Sequence, residues 1–312
     1  MNQLLFVITR LWRYLSLYFL KPFDAVNDTL TASLLYRLDW DGDFVEIGSG
    51  DGVYSYIMHG GTFPFWFDRY LIIDLAQKDI YDTHRQNVVP HEKSLTFPRI
   101  KKAIDAKQSH VDKIKEIGFA REAIFACYEQ LPLDSGSEDA VFYYTPHGLI
   151  NHEQAITEAH RILKSGGRML VLLYDSCFKK AFICYRLARY LPGIFGRYFK
   201  QLDNGRYDEI TNLSKTPREW QIFFNSHGFR IKQCHAGLSN FAWCVYDIQT
   251  RPLLKPLIRI FNFIPGTLRT MTKAIWMVLW FPILVLFYFL FSNEYLIIDG
   301  ANCYLAYELE KV

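Results

Sequence analysis

Residues 43–58 read DFVEIGSGDGVYSYIM, and the interpretation of the whole chain follows from them. Phe44, Val45 and Ile47 make a short apolar run of strand length. Gly48, Gly50 and Gly52 come next, and residues 53–58 resume as the opening of a helix. Strand, glycine turn and helix together form the first unit of an α/β nucleotide-binding fold. In such a unit, backbone amides at a helix N-terminus meet a polar or anionic ligand. Gly48 and Gly50 let the chain turn tightly and approach that ligand with no Cβ in the way. A dinucleotide fingerprint, G-x-G-x-x-G, would need its third glycine at position 53, which is Val53; here it falls one residue early. An acid, Glu46, stands two residues before the first glycine.

The 312 residues suffice for one large domain or two small ones. Half of them are hydrophobic and 17% are aromatic, so some apolar surface is expected to face something other than a protein core. A net charge of +3 is too mild to argue for nucleic acid, and no nucleic-acid partner is expected. The six cysteines are scattered with no C-x-x-C pair. Neither a metal site nor a disulfide framework follows, and a reducing compartment is the default. The N-terminus does not read as a cleaved signal peptide, because its uncharged run is short and its basic residues come after that run.

Residues 4–20 have helical periodicity, with Leu4, Ile8, Leu11, Leu15 and Tyr18 on one face and Thr9, Arg10, Arg13 and Ser16 opposite. This helix either lies in a membrane interface or packs on the domain. A second helix covers 28–38. Residues 70–74, YLIID, read as the second strand, ending in a carboxylate. Helical stretches are expected near 100–106 and 111–117, within an insertion, and a third strand at 122–127.

Residues 131–175 contain Leu131-Pro132, then Asp139-Ala140-Val141 opening a fourth strand. Glu158, Arg161 and Leu163-Lys164 close a helix, and Gly166-Gly167 precede a buried fifth strand at 169–174. Together with the E-x-G-x-G-x-G turn at Glu46–Gly52, this series resembles the class I S-adenosylmethionine-dependent methyltransferases. The resemblance implies a Rossmann-like, doubly wound, mostly parallel seven-stranded sheet with an antiparallel last strand, and S-adenosyl-L-methionine as cofactor. It implies that Glu46, Gly48, Ser49, Gly50 and Gly52 cradle the cofactor. Asp74 with Leu75, 24 residues beyond Gly50, would meet the ribose hydroxyls, since a carboxylate can accept from both groups of a vicinal diol. Cys127, Tyr128 and Tyr144 would border the adenine and the pocket. The family commonly has an acid at the position of Cys127, so that contact departs from the pattern. Methyl transfer is an in-line displacement needing alignment, and a base only for some nucleophiles. His147 and then Asp175, after the fourth and fifth strands, are the candidate bases. Tyr143 is expected beside Tyr144 in the pocket, and His152 at a solvent-facing helix start.

Residues 177–206 alternate basic with aromatic and aliphatic side chains where the family builds its substrate cover. They are read as a surface for anionic headgroups or a phosphate-bearing substrate, or as a solvated basic face. A sixth strand is expected at 229–234 and the closing strand at 302–311. Residues 274–291, AIWMVLWFPILVLFYFLF, form an uninterrupted apolar run. A single crossing conflicts with the closing strand joining the same sheet. The run therefore dips in and returns, with Pro282 breaking it into two short helices, or pairs with another crossing, for which 253–264 is a poor candidate because Lys255, Arg259 and proline interrupt it. A monotopic anchor with Arg251, Lys255, Arg259, Arg269 and Lys273 at the headgroups is favoured. An oligomer interface or a buried core helix is the remaining reading, and the oligomeric state stays open. The domains expected are an N-terminal helix at 1–22, a methyltransferase domain at 23–250 and 300–312, and a hydrophobic insert at 251–299. The function expected is methyl transfer to a lipophilic or lipid-linked acceptor at the cytoplasmic face of a membrane. The alternatives are a soluble small-molecule methyltransferase and a non-catalytic membrane scaffold.

Overall fold

Val45–Ile47 forms β1, buried on both sides at the middle of a seven-stranded sheet, in the computed structural model of the chain. The structure describes residues 3–38, 44–71, 73, 75–76, 100–144, 151–203, 205–292 and 304–312. The other strands are β2 (Ile100–Asp105), β3 (Ala120–Phe125), β4 (Glu138–Tyr144), β5 (Leu163–Tyr174), β6 (Phe229–Ala236) and β7 (Tyr304–Lys311). Their order is β3-β2-β1-β4-β5-β7-β6, and β7 runs antiparallel to both of its neighbours. This is the doubly wound, mostly parallel sheet that the sequence implies. Strand order reverses direction at β1 and β4, which places the glycine turn at the switch point where such sheets bind ligands.

Helices α1 (Gln3–Leu17), α2 (Pro22–Arg37) and α3 (Val53–Met58) come first, and α4 (Gln108–Ile117) and α5 (His152–Ile162) flank the strands that follow. Then come α6 (Ile183–Tyr190), α7 (Gly193–Asp203), α8 (Arg206–Leu213) and α9 (Pro217–Ser226). Last are α10 (Asn240–Ile248), α11 (Leu254–Asn262) and α12 (Gly266–Phe291). Alternate strand residues serve two separate cores, as the period of two demands. Phe142, Leu170, Leu172 and Ala306 join the N-terminal helices and α12. Val141, Tyr143, Met169, Val171, Leu173 and Leu309 join α5 and α9. The Glu158 and Arg161 pair has a structural task. Glu158 accepts from the Leu131 amide at 2.9 Å, while Arg161 donates to the carbonyls of Leu131 and Leu133 at 3.0 and 2.8 Å. The helix thereby holds the Leu-Pro turn.

Three expectations need correction. The strand beside β1 is Ile100–Asp105, where a helix was expected, and Tyr70 and Leu71 lie in a turn. Lys101 and Lys102 disguise this strand in the sequence. Both reach the buried Glu138 carboxylate at 2.7 Å, so their charges are paired beside the sheet.

Helix α1 packs on the domain, against α2, α3 and α12, with Leu11 and Leu15 of the predicted face buried, but the buried side is rotated to take in part of the predicted polar side. Phe6, Val7, Arg10, Leu11 and Tyr14 are buried, while Leu4 and Leu5 are exposed. Arg10, predicted on the polar side, donates from Nε to the Met58 carbonyl at 3.1 Å, and Arg13 donates to that of Gly60 at 2.6 Å. These two carbonyls terminate α3, and capping them outweighs the solvation of two arginines.

Helix α12 is continuous through Pro282, so the two-short-helix reading fails. Arg269 and Lys273 are buried on its inner side and are not at a headgroup layer. Arg269 pairs with Asp68, and Lys273 Nζ donates to the carbonyls of Phe65 and Phe67 at 3.1 and 2.7 Å. Arg251 is likewise occupied, by Asp247 and the carbonyls of Leu202 and Asp203. The far end is also fastened, since Ser239 N donates to Phe291 O at 3.2 Å and Ser292 bridges to Leu238. With both ends tied to one domain, α12 lies along that domain and does not lead away from it.

Candidate active site

The turn after β1 has three left-handed glycines, Gly48, Gly50 and Gly52. At Gly52 an added Cβ would lie 2.5 Å from Phe119 Cε1 and 2.9 Å from Ile114 Cγ1, so this glycine lets α3 pack tightly on the neighbouring layer. Gly50 differs. Its φ is +58° and no atom lies within 4 Å of the position a Cβ would take. The turn is open there, as a cofactor cradle requires.

The carboxylate that the tertiary structure brings to this turn belongs to Asp105, at the carboxyl end of β2. Its Oδ2 accepts from the Gly50 amide at 2.9 Å and from the Tyr128 hydroxyl at 3.1 Å. Its Oδ1 accepts from the Lys107 amide at 2.9 Å and lies 3.1 Å from His110 Nδ1. The two backbone donors hold the carboxylate in place. Tyr128 and His110 are buried beside it, and the Tyr128 hydroxyl also accepts from the Ala106 amide at 3.1 Å. Sequence reading missed Asp105. Two segments, 70–74 and 100–105, each end an apolar stretch in Asp, and spacing alone favoured the first.

Of the candidate residues, Glu46, Gly48, Ser49, Gly50, Gly52 and Tyr128 are brought together around the turn. Ser49 is buried, and its amide donates to Ile104 O at 3.2 Å. Leu75 is half-buried in a turn, and its carbonyl accepts from Lys255 at 2.9 Å, which links the loop to α11. Asp74 and His147 lie outside the described residues. Cys127 is exposed, and its thiol donates to Glu129 at 2.7 Å, an interaction that pushes the thiol pKa up. Tyr144, at the end of β4, packs against Tyr54 with ring centroids 5.4 Å apart, on the same side of the sheet as the glycine turn. Tyr143 points the opposite way, so its placement in the pocket is corrected. It and His152 are buried against α9, where the His152 ring meets Trp220 at 5.5 Å and burial pulls its pKa down to about 4. His152 therefore does not face solvent. Asp175 does sit at the end of β5, where its carboxylate caps a 3-10 turn by accepting from the Cys177 amide at 2.7 Å. Among the described residues no group of three His, Cys, Asp or Glu side chains is placed to hold a metal ion.

Glu46 is 1% exposed, and both carboxyl oxygens face the Ser55 hydroxyl, at 2.5 and 2.7 Å. Burial pushes its pKa from 4.5 up to about 7, against the opposing pull of the Ser55 hydrogen bond. A carboxyl with a raised folded-state pKa binds more protons folded than unfolded between pH 4.5 and 7. Its contribution to stability is therefore lost as pH rises through that window. Glu46→Gln removes the titration. In urea melts, the variant's stability relative to wild type is expected to increase by about 2–3 kcal/mol from pH 5 to pH 8. A pH-independent difference would show that Glu46 ionises normally.

A glycine turn at the switch point of a 3-2-1-4-5-7-6 sheet, with buried acids on the first and second strands, is the arrangement expected of a class I S-adenosylmethionine-dependent methyltransferase. Residues 45–171 match the family described as a methyltransferase domain. The protein is accordingly an enzyme with S-adenosylmethionine as its methyl donor. No curated protein sequence matches the chain. Solved structures similar to it include an S-adenosylmethionine-dependent methyltransferase from Thermotoga maritima. That protein is 14% identical, with 92% of this chain and 88% of that one covered and a TM-score of 0.43. The geranyl diphosphate C-methyltransferase from Streptomyces coelicolor is 11% identical over 90% of this chain and 77% of that one, with a TM-score of 0.41. The cyclase SpnF is 14% identical over 91% and 80%, with a TM-score of 0.46.

Proposed function

We propose that the enzyme methylates a lipophilic or lipid-linked acceptor at a membrane surface. The observation that carries this reading is the outer side of α12. Leu268, Met271, Ile275, Leu279, Leu286 and Leu290 recur at helical spacing, each more than half exposed. At 26 residues and about 1.5 Å per residue, the helix is long enough for a broad contact. It is the one described helix long and apolar enough to cross a membrane. Because both of its ends are hydrogen-bonded to the domain, it lies in the interface as a monotopic element. The acceptor then need not leave the bilayer to reach the switch point.

The bound donor supplies an electrophilic methyl on a sulfonium. The chain's own residues hold and align it. Gly50 would leave room for the ligand, and Asp105, in the role the sequence pointed to at Asp74, would accept from the ribose diol. Tyr128 and the Cys127–Glu129 segment would border the base, and Tyr144 with Tyr54 would line the side of the transferred methyl. His147, following β4, takes the acceptor's proton where the nucleophile needs to lose one, and Asp175 is the second candidate. His147→Asn is expected to lower kcat by about a hundredfold, within the usual range for a general base, with S-adenosylhomocysteine affinity unchanged. An unchanged kcat would remove it from this role.

The membrane reading is tested by fractionation. Wild type should sediment with membranes and be released by detergent. Leu279→Ser with Leu286→Ser should move to the supernatant while still binding S-adenosylhomocysteine. A wild type that stays in the supernatant, and whose oligomeric size alone changes in the variant, would replace this reading with an oligomer interface. The acceptor is then sought by mass spectrometry of lipid extracts, as a gain of one methylene in the presence of active enzyme.

A further inference from the structure

Helices α6 and α7 are joined by only Leu191-Pro192 and pack closely on one another. The approach is tight at Gly196, where an added Cβ would stand 2.3 Å from the Leu191 carbonyl oxygen. The tip of this hairpin is apolar and bare. Tyr190, Ile194 and Phe195 are 80%, 79% and 69% exposed. Arg189 and Arg197, both exposed, flank them. The other end of the hairpin is fixed to the region that leads into α11 and α12. The Cys184 amide at the start of α6 donates to Asp247 at 2.9 Å. Arg251 binds the carbonyls of Leu202 and Asp203 at the end of α7.

From Ser176 to Leu202 the chain has six lysines and arginines and no Asp or Glu, and from Ile248 to Phe291 it again has no acid. A protein partner of ordinary surface composition does not call for such a bias. A second copy packed symmetrically on this tip would set Arg189 and Arg197 against their own equivalents, with no local acid to neutralise them. A bilayer with anionic headgroups suits both features, since apolar tips enter the acyl layer while arginines meet phosphates. We propose that the α6–α7 tip is a second membrane contact, separate from α12. It inserts Tyr190, Ile194 and Phe195 into an anionic leaflet with Arg189 and Arg197 at the phosphate layer. This rests on the membrane reading above and adds to it a second point of attachment and a lipid preference.

The test is flotation of the full-length protein with two kinds of vesicle, phosphatidylcholine alone and phosphatidylcholine with about 30% phosphatidylglycerol. Wild type is expected to bind the anionic vesicles about tenfold more tightly. Arg189→Gln with Arg197→Gln should lose that preference and keep the weaker binding to neutral vesicles. Ile194→Ser with Phe195→Ser should weaken binding to both kinds about tenfold. S-adenosylhomocysteine binding and melting temperature, unchanged in both variants, confirm that they fold. If wild type binds neither vesicle, the membrane reading itself fails. If wild type binds, the α12 variant loses binding and both hairpin variants behave as wild type, the hairpin proposal alone is overturned. It is also overturned if the hairpin variants lose only a dimer.

Discussion

Asp105→Asn is expected to reduce S-adenosylhomocysteine affinity at least a hundredfold, while Asp74→Asn leaves it nearly unchanged. Two hydrogen bonds from a ribose diol to an ionised carboxylate contribute about 1.5–3 kcal/mol each, so losing their full strength costs about 3 kcal/mol or more. At about 1.4 kcal/mol per tenfold, that is two decades in Kd. Asn preserves the volume and one acceptor for the Gly50 amide at 2.9 Å. It then turns an NH2 donor toward the Lys107 amide, which is itself a donor. Titration calorimetry on both variants decides the matter. If Asp74→Asn loses the affinity and Asp105→Asn keeps it, the assignment of the diol acceptor is wrong, even though the strand order would stand.

Arg269→Leu is expected to destabilise the fold by about 3–5 kcal/mol, the usual cost of removing one partner of a buried ion pair. Arg269 is 4% exposed and Asp68 is 6% exposed. The Asp68 carboxylate also accepts from the Tyr70 amide at 2.8 Å, so it cannot readily turn toward water. Folded domains are stable by only about 5–15 kcal/mol, which makes this a large fraction of the whole. Asp68→Asn combined with Arg269→Leu should recover most of the loss, because no unpaired charge then remains buried. Denaturant melts of the two variants in the same detergent check it. Equal destabilisation in both would mean that packing of the arginine stem, and not the stranded carboxylate, sets the cost. The adjoining residue Arg69 pairs with Asp51 in the glycine turn at 2.7 Å. Residues 68 and 69 therefore join the apolar helix to the cofactor cradle through consecutive ion pairs.

Neighbouring residues already record much of the fold. Gly48, Gly50 and Gly52 mark left-handed positions that few other residues adopt. Asn151 and Thr216 mark helix starts because their side chains accept from amides three residues on, Gln154 and Glu219. Leu305, Tyr307 and Leu309 mark a buried strand face. Other features escaped a sequence reading for reasons that are equally physical. Lys101 and Lys102 break an apolar pattern, yet Glu138, distant in the chain, neutralises both. Asp28 sits inside a helical pattern with nothing to set it apart. In the fold it is buried beside Asn27, and burial pushes its pKa up to about 8.

The sequence by itself determined the nucleotide-binding unit and the places of the later strands along the chain, and through its resemblance to a family it implied the methyl-donor cofactor. The unit and the strands rest on backbone conformations and spacings that neighbouring residues dictate. Only the tertiary structure decided which carboxylate meets the Gly50 amide, because strand adjacency is set by packing between segments 50 residues and more apart. It also decided which side of α1 is buried and which side of α12 is bare. For those two helices the choice rests on arginines and a lysine that find acceptors far away in the chain: Arg10 at Met58, Arg269 at Asp68 and Lys273 at Phe67. Without those acceptors the same basic side chains belong in water, which is where a reading of the sequence alone puts them.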